Sequence, residues 1–193
     1  MSVIKAVLYD MDGVLVEAKD WHYEALNKAL GLFGMEINRY DHIVTYDGLP
    51  TKMKLEMLSL EMGFPNELHG FINLIKQQYT MDVINQKCKP LFIHEYALFR
   101  LKKEGMLMGV CSNSIRKTVE AILDKSMIID YFNILMSAED VSMPKPNSEI
   151  YVTAMNKLGV KPEETLILED NENGIRSAID SGCLLYTSDA ADE

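Results

Sequence analysis

Cysteine is scarce in this sequence. Its 193 residues contain three cysteines, at positions 88, 111 and 183, and no two of them form a Cys-x-x-Cys pair. An odd, widely scattered set of thiols indicates neither a framework of disulfides nor a structural zinc site. We therefore expect neither disulfides nor a structural zinc ion to stabilise the fold.

Positive charge is also in short supply. Lysine and arginine together number 19 against 29 aspartates and glutamates, which gives a formal net charge of −10. No run rich in lysine or arginine offsets this balance locally, so the field around the surface repels phosphate backbones. We expect no nucleic-acid partner.

Long apolar runs are missing as well. The N-terminal apolar segments are interrupted by Lys5, Asp10 and Asp12. A membrane-spanning helix needs about 20 apolar residues, and a signal peptide needs an unbroken apolar centre. Because neither pattern is present, we expect a cytoplasmic protein that does not bind a membrane. The 48% hydrophobic and 25% charged content fits a globular protein with one full core and a small insert.

Strand-like and helix-like patterns alternate along most of the chain. Residues 3–9 read as a buried strand, and apolar residues at helical spacing follow from Trp21 to Phe33. After Pro90 the alternation resumes with helix 92–104, strand 107–111, helix 115–125, strand 134–136, helix 148–158, strand 165–168 and helix 173–181. Strands separated by helices predict a parallel sheet that is covered by helices on both faces.

The segment between the first strand and Pro90 is different, because it contains helical patterns only. Two of them lie near 52–62 and 67–87. We interpret residues 17–88 as an inserted helical cap. The α/β core then consists of residues 1–16 and 89–182.

Polar residues follow the predicted strands at the points where each strand ends. In AVLYDMDGVLV, residues 6–16, two carboxylates come directly after the first strand. The residues after the later strands are Ser112, Asn113 and Ser114, then Lys145, then Glu169 and Asp170. The carboxyl ends of parallel strands meet at one edge of a sheet, where ligands bind. Several carboxylates in a small space need a cation, and oxygen ligands suit Mg²⁺. A lysine and hydroxyl groups beside them suit a phosphate, so the set indicates phosphoryl chemistry.

Four stretches of the chain together resemble a known family. These are DMDGVL at 10–15, CSNS at 111–114, Lys145 in PKP, and LILEDNENGI at 166–175. Their order and spacing are similar to those of the four motifs of the haloacid dehalogenase-like hydrolases. The helical insert after the first motif resembles the small cap of the β-phosphoglucomutase-like branch.

The resemblance implies a role for each matching residue. Asp10 would be the nucleophile that forms an aspartyl-phosphate, and Asp12 would be the general acid and base. The metal would be Mg²⁺, held by Asp10, the backbone carbonyl of Asp12, Glu169 and Asp170. Ser112, Asn113 and Lys145 would hold the phosphoryl group, and His22, on the first cap helix, would contact the substrate.

The sequence leaves several functions open. Hydrolysis of a small phosphorylated metabolite, such as a sugar phosphate, is the interpretation we favour, with the protein as a monomer. A mutase of the β-phosphoglucomutase type is an alternative, but Asp47 and Thr51 stand where such enzymes carry a lysine and an arginine around a glycine. Lys52 or Lys54 would have to substitute for these residues. A non-catalytic module that binds phosphate is a third. A phospho-accepting receiver domain fits less well, because its acidic pair and its acceptor lie on different strands.

Residues 183–193 are predicted not to be native. With permitted codons, Cys183 to Glu193 can be written as an in-frame transposon adapter of the kind used for sequencing libraries. We therefore expect the natural chain to continue beyond Gly182. The resemblance implies a further strand and helix there, at one edge of the sheet.

Overall fold

The core of the protein is a five-stranded sheet in which every neighbouring pair of strands is parallel. The computed structural model describes residues 3–187. The strands are β1 (Ala6–Tyr9), β2 (Leu107–Cys111), β3 (Ile134–Met136), β4 (Thr165–Glu169) and β5 (Leu184–Thr187). Their order across the sheet is β3-β2-β1-β4-β5, so the first strand lies at the centre.

Eight helices accompany these strands within residues 3–187. They are α1 (Lys19–Leu30), α2 (Arg39–Asp41), α3 (Thr51–Met62), α4 (His69–Lys87), α5 (Phe92–Lys103), α6 (Arg116–Lys125), α7 (Glu149–Leu158) and α8 (Glu172–Asp180). A π-helical segment, His42–Tyr46, continues α2.

The two faces of the sheet carry separate hydrophobic clusters. Successive side chains of a strand point to opposite faces. Accordingly, Val7 packs in a cluster with residues of α5 and α6, whereas Leu8 packs in a cluster with residues of α7 and α8. The prediction of an α/β core with helices on both faces is confirmed.

Most elements lie where the sequence pattern places them, and the differences are local. The first strand begins at Ala6 rather than at residue 3. The first helix ends at Leu30, and a 3-10 turn leads to Gly34, which adopts the left-handed conformation with φ of 70°. Residues 39–46 are helical although their pattern predicted no element there, because this stretch is short and largely exposed.

The helical insert has a hydrophobic cluster of its own. It contains Leu26 and Leu30 from α1, Leu55 and Leu58 from α3, and Ile72 from α4. These observations support the predicted cap at 17–88, although its limits stay a prediction. Within residues 3–187, no helix combines the length and the apolar character needed to cross a membrane.

Four residues of the stretch predicted not to be native form the edge strand. Leu184–Thr187 pairs with β4 in parallel, in the register Leu166 to Leu184. A short run of apolar residues is enough to add a strand to an open sheet edge, so this pairing is expected whatever the origin of the segment. Residues 188–193 lie outside the described part of the chain.

Candidate active site

The candidate site lies at the carboxyl end of the central strands. The backbone N–H of Asp10 donates to the carbonyl of Leu168 at 2.9 Å, and that of Ser112 donates to the carbonyl of Met136 at 3.0 Å. Each residue thus continues the hydrogen-bond ladder one position beyond its own strand. Glu169 is the last residue of β4. The sheet itself therefore fixes the backbone of these residues.

Lys145 joins two of the carboxylates. Its Nζ donates to Oδ1 of Asp10 at 2.7 Å and to Oε1 of Glu169 at 2.5 Å, and its side chain is only 2% exposed. The hydroxyl of Tyr151 donates to the same Glu169 oxygen at 2.5 Å. Burial by itself lowers the pKa of Lys145, but Asp10 and Glu169 outweigh burial and raise it above its usual value. The ammonium group is therefore held charged against Asp10.

The acidic residues present fit a divalent cation. Carboxylate oxygens of Asp10, Glu169 and Asp170 all lie within 4.8 Å of one another. Oδ1 of Asp170 is buried and has no hydrogen-bond partner within residues 3–187, while Oδ2 contacts Nζ of Lys19 at 2.6 Å. Burial, with Glu169 adding to it, raises the pKa of Asp10 well above its usual value, and Lys145 only partly opposes this. More positive charge is needed to keep Asp10 ionised, and oxygen donors of this kind suit Mg²⁺.

Two glycines allow these carboxylates to approach the backbone. A Cβ on Gly174 would lie 2.0 Å from the carboxylate of Glu169. A Cβ on Gly13 would lie 1.8 Å from Oδ2 of Asp170, and the φ of Gly13 is +94°. Any larger residue at either position would displace an acidic side chain of the site.

Asp12 faces a different set of partners. Its Oδ2 lies 3.2 Å from Nε2 of His22 and accepts from the hydroxyl of Ser114 at 3.4 Å. Nδ1 of His22 in turn lies 3.5 Å from Nζ of Lys76. A neutral imidazole with its proton on Nε2 satisfies both contacts, because it donates to Asp12 and accepts from Lys76.

The pKa values of this chain of contacts are consistent with that assignment. Burial lowers the pKa of His22, and Asp12 opposes the effect without overcoming it. Burial raises the pKa of Asp12, but His22 and Lys76 together outweigh burial and hold the pKa below its usual value. His22, predicted as a substrate contact from its place near the first motif, is therefore also a direct partner of Asp12.

The two polar residues predicted to bind phosphate, Ser112 and Asn113, differ in their hydrogen bonds. Ser112 is 1% exposed and its Oγ accepts from the backbone N–H of Ser114 at 3.1 Å. The amide of Asn113 accepts from the backbone N–H of Lys145 at 2.9 Å and donates to the carbonyls of Lys145 and Gly48 at 3.1 and 3.0 Å. Since these bonds engage the side chain of Asn113, it positions the lysine loop and the cap. A phosphate contact from Asn113 stays a prediction.

A cavity of about 240 Å³ connects the strand ends with the cap. The core contributes the residues Asp10, Asp12, Ser112 and Lys145, and the cap contributes the lysines Lys54 and Lys76. The sequence analysis named Lys54 only as a substitute for the cap residues of a mutase, and it did not include Lys76 in the site. A signal was present, because Lys76 lies one helical turn from both Ile72 and Thr80, on the buried side of α4. A lysine among the buried residues of a helix is unusual.

Comparison with known proteins agrees with this geometry. A family model described as haloacid dehalogenase-like hydrolase matches residues 7–186. The chain belongs to this family. Hexitol phosphatase B of Escherichia coli (strain K12) is 27% identical to it, over 89% of this chain and 78% of that protein.

Solved structures of the family share its architecture. CbbY from Rhodobacter sphaeroides, in complex with xylulose-(1,5)bisphosphate, superposes with a TM-score of 0.87 over 96% of this chain and 86% of that one, at 21% identity. For β-phosphoglucomutase from Clostridium difficile the TM-score is 0.83 over 95% and 83% of the two chains, at 22% identity. The predicted membership of the haloacid dehalogenase-like hydrolases, with the fold of the β-phosphoglucomutase-like branch, is confirmed.

Proposed function

We propose that the protein is a Mg²⁺-dependent phosphatase that hydrolyses a small phosphomonoester, with sugar phosphates as the expected class. The observation that carries the proposal is the placement of two carboxylates with different partners. Asp10 is held by Lys145 at 2.7 Å beside two other acids, whereas Asp12, two residues on, is bonded to His22 at 3.2 Å. One acid is thus suited to attack phosphorus and the other to carry a proton.

The chemistry follows in two steps. An oxygen of Asp10 attacks the phosphorus, the ester P–O bond breaks, and the leaving oxygen takes a proton from Asp12. Asp12 then takes a proton from a water molecule that attacks the phosphorus, which releases inorganic phosphate and restores Asp10. A phosphate dianion arriving beside Asp12 favours the protonated form that the first step needs.

The other residues of the site orient the reacting groups and neutralise their negative charge. Lys145 and Ser112 bind the transferring phosphoryl group, and His22 fixes the carboxylate of Asp12. Mg²⁺, bound by Asp10, Glu169 and Asp170, supplies positive charge that offsets the repulsion between the carboxylate and the phosphate. The names of the relatives support a sugar phosphate or a related polyol phosphate, since hexitol phosphatase B by its name acts on a hexitol phosphate and CbbY was solved with a sugar bisphosphate.

Release of inorganic phosphate tests the proposal. The intact chain is incubated with a panel of sugar, polyol and short alkyl phosphomonoesters, with Mg²⁺ and with a chelator. We expect Mg²⁺-dependent release from at least one class of ester, abolished by the chelator and restored by added Mg²⁺. No release from any ester would contradict the proposal and favour the non-catalytic phosphate-binding module.

The mutase alternative makes a different prediction for the same samples. A mutase converts one sugar phosphate into another without net release of phosphate, which ³¹P NMR detects as a new ester resonance. Hydrolysis is favoured because Asp47 and Thr51, which line the cavity, offer no guanidinium to hold a second phosphate. A new ester signal without inorganic phosphate would reverse this preference.

A further inference from the structure

A lysine contacts one of the acids proposed to bind Mg²⁺. Lys19 is the first residue of α1, and its Nζ lies 2.6 Å from Oδ2 of Asp170. A positive side chain in the first turn of a helix is unfavourable, because the N-terminal end of the helix carries partial positive charge. The carboxylate of Asp170, which is only 6% exposed, offsets this cost. Lys19 is therefore held beside the acidic cluster by Asp170.

The loop before α1 leaves room for this ion pair. Gly13 has a φ of +94°, and a Cβ at this position would lie 1.8 Å from Oδ2 of Asp170 and 2.8 Å from Cε of Lys19. Both partners of the pair thus lie against the same glycine. The contact is packed into the site, although the lysine side chain keeps 35% of its surface exposed.

A cation bound by Asp170 would share this carboxylate with the ammonium group. Oδ2 of Asp170 contacts Lys19, whereas Oδ1 is buried and has no hydrogen-bond partner within residues 3–187. Two positive charges on one carboxylate repel each other. Lys19 should therefore lower the affinity of the acidic cluster for Mg²⁺.

A second carboxylate, from the cap, faces the same ammonium group. Oδ2 of Asp47 lies 3.7 Å from Nζ of Lys19. Backbone contacts hold this part of the cap on the core, since the carbonyl of Asp47 accepts from Asn173 at 3.4 Å and that of Gly48 accepts from Asn113 at 3.0 Å. Lys19 thus lies between an acid of the core and an acid of the cap.

We propose that Lys19 is a positioning residue of the metal site, which weakens Mg²⁺ binding and links it to the docking of Asp47. Bound Mg²⁺ makes the ammonium group less favourable at Asp170 and more favourable at Asp47, so metal binding strengthens the contact between core and cap. By linkage, the docked cap acid in turn favours Mg²⁺. The inference rests on the proposed function, since it takes Asp170 as a ligand of Mg²⁺.

Calorimetric titration of the intact chain with Mg²⁺ tests the role of Lys19. Lys19→Met keeps the apolar stem and removes the charge, and we expect Mg²⁺ to bind at least about fivefold more tightly. Lys19→Gln should act in the same direction, and Lys19→Arg, which keeps the charge, should stay within about threefold of the wild type. A purely structural role would instead weaken binding in the neutral variants.

Lys52→Met is the matched control for the loss of a positive charge. The side chain of Lys52 is 85% exposed at the same cavity, so Mg²⁺ affinity should change less than about twofold. The rise in Tm on adding Mg²⁺ gives a second measurement, because tighter binding to the folded state stabilises it further. Unchanged or weaker Mg²⁺ binding in both Lys19→Met and Lys19→Gln would overturn the proposal.

A double-mutant cycle tests the link to the cap. Asp47→Asn leaves the ammonium group with Asp170 alone, so we expect Mg²⁺ to bind at least about fivefold more weakly than in the wild type. In the Lys19→Met background the same substitution should change Mg²⁺ affinity less than about twofold. Equal effects of Asp47→Asn in the two backgrounds would overturn the link.

The outcome is separable from that of the proposed function. Tighter Mg²⁺ binding in Lys19→Met, together with no phosphate release from any ester, would leave the role of Lys19 standing and overturn the phosphatase. Mg²⁺-dependent phosphate release, with Mg²⁺ affinity unchanged in the neutral variants of Lys19, would do the reverse.

Discussion

The core and cap sides of the cavity neutralise charge in different ways. On the core side, Lys145 bridges Asp10 and Glu169 at 2.7 and 2.5 Å. On the cap side, Lys54 has no ion pair within residues 3–187, and in the same residues Nζ of Lys76 is hydrogen-bonded only to an imidazole nitrogen of His22. On the core side the lysine and the carboxylates thus orient one another, whereas within residues 3–187 Nζ of neither cap lysine forms an ion pair with a carboxylate.

This difference agrees with separate roles for the two sides: the core side carries out the reaction, and the cap side selects the substrate. Catalytic groups act best when their orientation is fixed before the reaction. Groups that choose a substrate gain selectivity when they lack a partner of their own, because a wrong ligand leaves them buried and unpaired. Substitutions on the core side should therefore lower turnover for all substrates, and those on the cap side should change preference or stability.

Asp10→Asn should have the largest effect on turnover. An amide cannot form the acyl-phosphate and is a poor ligand for Mg²⁺, so we expect kcat to fall by at least about 10³-fold. Phosphate release with the best ester of the panel measures it, and Mg²⁺ titration by calorimetry should show weaker binding. A variant that keeps the wild-type rate would remove Asp10 from the mechanism.

Asp12→Asn should separate proton transfer from metal binding. We expect kcat to fall by roughly 10² to 10⁴-fold because the general acid is lost. Its carboxylate faces His22 and Ser114, and its predicted metal contact is a backbone oxygen, so Mg²⁺ affinity should stay within about threefold of the wild type. If both aspartate variants lost Mg²⁺ affinity equally, this assignment of roles would be wrong.

Substitution of one glycine on the core side and one in the cap compares the two regions directly. Gly174→Ala would place a Cβ 2.0 Å from the carboxylate of Glu169, so that acid and Lys145 must move. We expect a loss of about 1 to 3 kcal/mol in the free energy of unfolding, with reduced kcat for every ester.

Gly70→Ala is the matched control in the cap. Its Cβ would meet nothing within 4 Å, at a position in α4 with ordinary φ. Alanine stabilises a helix by up to about 1 kcal/mol relative to glycine, so this variant should be as active as the wild type and unfold at higher denaturant concentration. Similar losses in both variants would show that the close approach at Gly174 is not what matters.

The fold and the core side could be predicted because their signals are local. A strand followed directly by Asp10 and Asp12, and another that ends at Glu169, place acids at one sheet edge by topology alone. The cap side could not be predicted in the same way. Whether Lys54 is buried depends on how α3 packs against the rest of the cap, and its neighbours Lys52 and Met53 are exposed on the same helix. Long-range packing, rather than any pattern near position 54, decides its environment.

The bond network of Asn113 was missed for a related reason. A residue that follows a strand in a phosphate-binding motif is expected to face the ligand. In the structure Asn113 lines the cavity, and its amide also connects Lys145 and Gly48, which are 97 residues apart in sequence. Only the docking of the cap on the core brings these two backbone segments together.

The smallest expected effect concerns His42, in the cap. This side chain is 4% exposed, and both of its ring nitrogens lack a hydrogen-bond partner within residues 3–187. Burial, together with the nearby charge of Lys54, lowers its pKa from 6.5 to about 4. The folded protein therefore keeps a neutral imidazole at a pH where the unfolded chain protonates it.

The protein should lose stability as the pH falls below 6.5. Above pH 6.5 His42 is neutral in both states and has no influence on stability through protonation. As the pH falls from 6.5 to 4 the unfolded state binds a proton that the folded state does not, and the free energy of unfolding decreases. In His42→Leu this contribution disappears, so urea unfolding curves at pH 7.5 and pH 5 should differ less than in the wild type. At pH 7.5 the variant should also gain about 1 kcal/mol, because two unsatisfied polar atoms are removed, while phosphate release stays unchanged. Parallel pH dependence in the two proteins would show that His42 is protonated equally in both states, and a loss of turnover would place it in the site after all.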